Sequence, residues 1–131
     1  MTLVLDTSVV FAACLSADGL RQFGREQLFA PPLLWSEFPS SLHEALWRSD
    51  LTAEAAAEAL TRFERSRIVS RSHRHLIREA WDLADQFGWA KTYDAEFIAL
   101  AGLLRCRLVT LDLRLRRASA RLGFVVGPTE L

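Results

Sequence analysis

Short apolar runs that hand over at once to helical stretches constrain this chain more than any other feature. Leu3-Val4-Leu5, Leu28–Ala30, Ile68-Val69-Ser70, Arg107–Leu111 and Phe124-Val125-Val126 read as strands. Between them the spacing predicts helices over Ser8–Ala17, Leu20–Gln27, Pro31–Arg48, Thr52–Arg65, His73–Phe87, Tyr93–Leu104 and Asp112–Arg121. Strands that are apolar on both faces must be covered on both faces, and alternation with helices implies parallel pairing. The expected fold is α/β, a mainly parallel sheet of four to five strands with helices on both sides. At 131 residues it forms one domain, residues 1–131.

The helices carry their own punctuation. Asp18-Gly19 breaks the first, and Thr52 caps the Ala-rich one with Glu54 in its first turn. In His73–Phe87, Leu76, Ile77, Ala80, Trp81, Ala84 and Phe87 form an apolar face opposite Arg78, Glu79, Asp82 and Asp85, and Gly88 ends the helix. Tyr93–Leu104 is apolar almost all round, as expected of a helix buried on several sides or against another subunit.

In such a sheet, functional groups gather beyond the carboxyl ends of the strands. Four acids fall there. Asp6 follows the first strand and Asp112 the fourth; Asp94 lies in the first turn of the apolar helix, and Glu37 in the second turn after Pro31-Pro32. Any one of them suits a helix cap or first turn. Together they form a set of like charges that is costly to desolvate and is relieved by a divalent cation. Oxygen donors select Mg²⁺ or Mn²⁺ over zinc. The residues therefore point to a metal-dependent enzyme acting on phosphates. Glu44 shares nearly the same helical face as Glu37 but lies deeper along the helix, and Glu96 is a rim candidate turned about 200° from Asp94. Thr7 and Thr110 are equally candidates to orient the acids or to form local turns; Ser8 reads as a turn or cap.

The remaining charges say less. Sixteen basic and sixteen acidic side chains balance, so composition does not announce a nucleic-acid binder. Arg114, Arg117 and Arg121 nevertheless share one helical face beside Asp112, where they suit an RNA backbone. Arg71, His73, Arg74 and His75 form a second basic cluster, read as surface. The four Trp lie mostly on apolar helix faces, where core or dimer packing is expected. Cys14 and Cys106 sit in apolar runs and read as reduced thiols. No Lys or Arg precedes the apolar stretch 2–17, and Asp6 interrupts it, so it does not read as an export signal; no run reaches the ~18 apolar residues of a membrane span. A cytoplasmic protein is expected.

Four segments also carry a resemblance. Leu3–Ser8, Ala30–Glu37, Tyr93–Ala101 and Leu108–Asp112 resemble, in order, the signature segments of PIN-domain ribonucleases, above all VapC-type toxins of toxin–antitoxin pairs. The resemblance runs from Leu3 to about Pro128. It implies an α/β/α sandwich and metal-dependent cleavage of RNA. It also implies a homodimer and a cognate antitoxin partner. The family's four acids map onto Asp6, Glu37, Asp94 and Asp112. Some members carry a further acid just after the last; here Leu113, Arg114, Leu115 and Arg116 occupy that stretch. Two other phosphate-handling folds fit less well. A phosphotransfer receiver needs a Lys after a late strand, but Lys91 precedes the apolar helix; a haloacid-dehalogenase phosphatase needs an Asp where Ser8 stands. A PIN-like module that binds RNA or protein without cutting is the remaining alternative.

Overall fold

The computed structural model describes residues 1–131. It contains β1 (Thr2–Leu5), α1 (Thr7–Cys14), β2 (Gln27–Ala30), α2 (Leu34–Trp47), α3 (Ala53–Glu64) and β3 (Val69–Ser70), followed by α4 (Leu76–Phe87), α5 (Tyr93–Leu104), β4 (Arg107–Val109), α6 (Leu113–Ala118) and β5 (Val125–Val126). All five strands are parallel, in the order β3-β2-β1-β4-β5. The sheet is thus wholly rather than mainly parallel.

The strand order explains the layers. The chain moves leftward from β1 through β2 to β3, then rightward to β4 and β5. Right-handed crossovers therefore place α1–α3 on one face and α4–α6 on the other. The packing agrees: α1, α2 and α3 pack together, while α5 packs on α4, β1 and β4. Leu3, Val4, Leu5, Leu108 and Val109 are all buried, so the central strands carry no polar face. Phe38 of α2 stacks on Phe63 of α3 with ring centroids 4.1 Å apart, and Phe11 of α1 approaches Phe38 at 6.3 Å. Burying Phe38 and Phe63 stabilises the fold by roughly 1.5–3 kcal/mol each. This cluster fixes the helix that carries the neighbouring Glu37.

Several expectations change. The segment after α1 forms only a short 3-10 turn, Gly19–Phe23, instead of a helix to Gln27. A Cβ on Gly19 would stand 1.8 Å from the Ala13 carbonyl oxygen, so the chain doubles back tightly against the end of α1. Pro31 and Pro32 precede α2 instead of opening it, since the Leu34 and Trp35 N–H groups donate to their carbonyls. Glu37 consequently falls in the first turn. α6 stops at Ala118, where the buried Ser119 hydroxyl donates to the Leu115 carbonyl (2.6 Å).

On α4 only Leu76, Ala80 and Ala84 are buried; Ile77 is 83% and Trp81 62% exposed. Trp47 is likewise exposed, whereas Trp89 packs against Phe87 at 4.8 Å and Trp35 against Phe63 at 5.7 Å. The apolar helix α5 is central to its layer, burying Ala95 and every residue from Phe97 to Ala101 within the single chain. Cys14 is buried and Cys106 half-buried, both free; burial pushes the Cys14 thiol up to about 11. No helix is long and apolar enough to cross a membrane.

Candidate active site

Strand register sets the level of the site. Leu5 pairs with Val109, so the next residues, Asp6 and Thr110, leave the two central strands side by side. Asp6 is the N-cap of α1: its Oδ1 accepts from the Val9 N–H (3.1 Å) and the Ser8 hydroxyl (2.7 Å), and its Oδ2 from the Thr110 hydroxyl. Asp112 caps α6 in the same way, accepting from the Arg114 and Leu115 N–H groups at 2.9 and 3.2 Å. Its own N–H donates to Thr110 Oγ1 (3.0 Å). Capping explains where these two acids sit, and it also fixes their carboxylates in the cleft.

Glu37 comes from α2, in the same layer as α1. The Thr7 hydroxyl donates to its Oε1 at 2.7 Å, tying α2 to the start of α1. Asp94 reaches in from the first turn of α5. Asp6, Glu37, Asp94 and Asp112 line one cleft of about 450 Å³, together with Thr7 and Ser8.

The electrostatics reflect this crowding, and burial is the larger part of it. Asp6, only 6% exposed, has its pKa raised by burial and further by Asp112, against lowering hydrogen bonds from Thr110, Ser8 and Val9. Glu37 is raised by burial, opposed by Thr7 and reinforced by Asp94. Asp94 is open to solvent, yet the cleft walls weaken its hydration; burial raises it first, Asp112 second, and Arg114 pulls it back. Glu96 is raised by burial and by the charge of Glu37, although it does not line the cleft.

The other named residues divide. Arg114 stands close enough to Asp94 to lower its pKa. Arg117 is exposed on α6. Arg121 leaves the expected stripe because α6 ends early; its guanidinium lies 5.0 Å from the Phe87 ring centre. Glu44 pairs with Arg48 outside the acidic cleft. Ser8 does more than the turn or cap read from sequence: besides donating to Asp6, it accepts the Leu111 N–H at 3.0 Å, so it links the exits of β1 and β4. Its spacing from Asp6 gave the only clue, and many turns share that spacing.

No three of the chain's His, Cys, Asp or Glu side chains converge as a finished metal-ligand set. The donors nevertheless fit a small hard cation, being carboxylates and hydroxyls only, with Asp94 held by no hydrogen bond. Chemically, the cleft combines anchored carboxylates with one mobile acid, and needs positive charge to receive a phosphate.

The PIN domain family matches residues 3–121. VapC ribonuclease Mb0985 of Mycobacterium bovis and ribonuclease VapC9 of Mycobacterium tuberculosis are each 34% identical over 114 residues, covering 86% of this chain and 87% of their own. The chain belongs to the PIN-domain family, among the VapC ribonucleases. Solved structures share the fold. PAE2754 from Pyrobaculum aerophilum superposes with a TM-score of 0.76 at 18% identity, covering 99% of this chain and 85% of its own. A toxin–antitoxin complex from Klebsiella pneumoniae gives 0.66 at 17%, covering 96% and 97%.

Proposed function

We propose that this chain is an endoribonuclease that hydrolyses RNA phosphodiester bonds with Mg²⁺ or Mn²⁺, and that it is the toxin of a toxin–antitoxin pair. One observation carries the reading: four carboxylates from four separate elements line one cleft at the carboxyl edge. Family membership supports the reaction class, since the matched relatives bear the name ribonuclease. Asp6, Asp94, Asp112 and Glu37 would hold the ion. When bound, it would neutralise the carboxylates, polarise the phosphodiester and make water a better nucleophile.

The chain's own residues supply the rest. Ser8, Thr110 and the Val9 N–H hold Asp6 in one orientation. Asp112 is fixed by the α6 N–H groups it caps. Thr7 steadies Glu37, whose raised pKa suits it to accept a proton from attacking water. Arg114 offers positive charge beside Asp94 for a phosphate oxygen, with Arg117 further along α6.

A homodimer and an antitoxin partner belong to the same reading. Exposed Ile77 and Trp81, one turn apart on α4, are the apolar surface we assign to the homodimer. The test of function is direct. Chain purified free of any partner should cut RNA in Mg²⁺ or Mn²⁺, stop in EDTA, and lose activity as Asp94→Asn. A folded, metal-supplied protein that leaves a diverse RNA panel intact would favour the non-cutting module instead.

A further inference from the structure

One strongly charged segment has no part in the chemistry above. From Arg65 to Arg78 the chain holds five Arg and two His and no acid. None of those Arg or His side chains makes an ion pair, in a protein whose basic and acidic residues are equal in number. Arg67 is occupied by the carbonyls of Glu26 and Gly24. The turn Arg71–His75, between β3 and α4, is not so occupied.

Register places this turn. Ala30 pairs with Ser70, and Val4 with Phe29, so Leu5, Ala30 and Ser70 share one level across the sheet. The Arg71 N–H continues the ladder by donating to the Ala30 carbonyl (2.9 Å). Arg71 is thus level with Asp6 and two strands away, about 10 Å at the usual strand spacing. Alternation puts their side chains on the same face, with Val4 and Phe29. The Arg71 guanidinium lies 5.3 Å from the centre of the Phe29 ring, which steadies it and leaves its N–H groups uncommitted.

Hydrogen bonding makes the turn a donor surface. The His75 N–H donates to His73 Nδ1 at 3.0 Å, and Arg74 Nε donates to His75 Nε2 at 3.1 Å. Both imidazoles therefore spend their acceptor nitrogen within the turn, leaving N–H groups to face outward. Two guanidiniums and two imidazole N–H groups remain, with no carboxylate to receive them.

We propose that Arg71, His73, Arg74 and His75 form a phosphate-binding subsite that holds the RNA backbone a short distance from the bond cleaved at the acidic cleft. This rests on the ribonuclease reading. The subsite binds without reading base identity, because its free groups are donors to phosphate oxygens. It adds to the positive charge that Arg114 brings beside the cleft.

The experiment uses the full chain without antitoxin and a short unstructured RNA oligonucleotide of mixed sequence. Binding is measured in EDTA across a KCl series, and cleavage is measured separately in Mn²⁺. The variants are Arg71→Gln/Arg74→Gln, Arg74→Gln alone in case Arg71 matters to folding, and a charge-matched control, Arg25→Gln/Arg105→Gln, at the other edge of the sheet. The double variant should flatten the log–log salt dependence by about 0.7 for each phosphate it no longer neutralises. It should raise KM roughly tenfold with kcat nearly unchanged, since removing a phosphate-binding cation weakens binding uniformly across sequences. Arg74→Gln should show about half that flattening, and the control almost none. Equal losses in variant and control would mean bulk charge alone and would overturn the subsite, as would unchanged salt dependence. Wild type that binds RNA in EDTA but never cuts would defeat the nuclease reading, while the binding series still decides the subsite.

Discussion

The two edges of the sheet are built from the same strands and do opposite things. At the amino edge lies the larger cleft, about 1070 Å³, rimmed by Arg25, Arg105 and Arg107 around Phe23, Leu104 and Phe124. At the carboxyl edge lies one less than half that size, about 450 Å³, holding four carboxylates. The arginines are long, exposed and without ion pairs. The groups at the carboxyl edge are mostly short and fixed: Asp6 and Asp112 cap helices, and Ser8, Thr7 and Thr110 bond to neighbouring acids or backbone. Volume marks where a chain leaves space. Convergent, anchored groups mark where it can do chemistry, because reaction geometry must be held before substrate arrives.

The sharpest way to break that contrast is to remove charge from each edge in turn. Asp94→Asn loses no hydrogen bond and barely changes shape, yet RNA cleavage should fall by about a hundredfold to ten-thousandfold or more. Arg25→Gln/Arg105→Gln/Arg107→Gln changes three charges and should leave kcat within a few-fold. Single-turnover cleavage of one RNA by both proteins makes the comparison, and similar losses would erase the distinction between edges.

A finer cut runs along α2. Glu37→Gln should cost on the order of a hundredfold in rate, as for loss of a general base. Glu44→Gln, which only frees Arg48, should cost little. Reversed penalties would move the working acid out of the cleft.

How far the sequence revealed this depends on which physical signal set each element. Thr52 is readable as a cap because one hydroxyl three residues before an N–H suffices, and it does accept from the Ala55 N–H at 3.1 Å. α5 is readable to its end residues because its apolar composition leaves little choice. The register that aligns Asp6 with Thr110 is a long-range property; central strands buried on both faces imply only that their exits lie close together. α4 misleads because periodicity yields a stripe wider than the face that packs. Ile77 and Trp81 continue that stripe, yet α5 is already covered by Leu76, Ala80 and Ala84. The end of α6 depends on the buried Ser119 hydroxyl, and nothing in local spacing says which way that hydroxyl turns. The sharing of Ser8 between β1 and β4 is tertiary and carries no local mark.

The exposed part of that stripe tests a surface that belongs to neither edge. Trp81→Glu should shift the protein from dimer to monomer in light scattering at micromolar concentration. The monomer should stay folded, since Trp81 packs little within its own chain, but it should melt below the dimer because association no longer stabilises it. Wild type that is already monomeric would leave the exposed stripe without the role assigned here.

The smallest effect concerns what each edge does to stability. Asp6, Glu37 and Asp94 all have raised folded-state pKa values, chiefly through burial. A raised carboxylate pKa favours the folded state at low pH, and that benefit disappears as pH rises through the folded value. Without metal, the carboxyl edge therefore weakens the fold near neutrality. Asp94→Asn removes one such charge and breaks no bond, so in EDTA at neutral pH it should melt a few degrees above wild type. The gap should narrow as pH falls through the folded value and close below the ordinary carboxyl value of 3.8, where Asp94 is protonated in both states. Millimolar Mn²⁺ binds the native arrangement and should stabilise wild type by mass action, and Asp94→Asn much less. Arg25→Gln/Arg105→Gln should melt within about 0.5 kcal/mol of wild type under every condition, as exposed substitutions do. Thermal melts over pH, with EDTA and with Mn²⁺, separate the edges. If Mn²⁺ shifts wild type and Asp94→Asn alike, or wild type is the more stable in EDTA at neutral pH, the acids are four helix-terminal residues that share a cleft without sharing an ion.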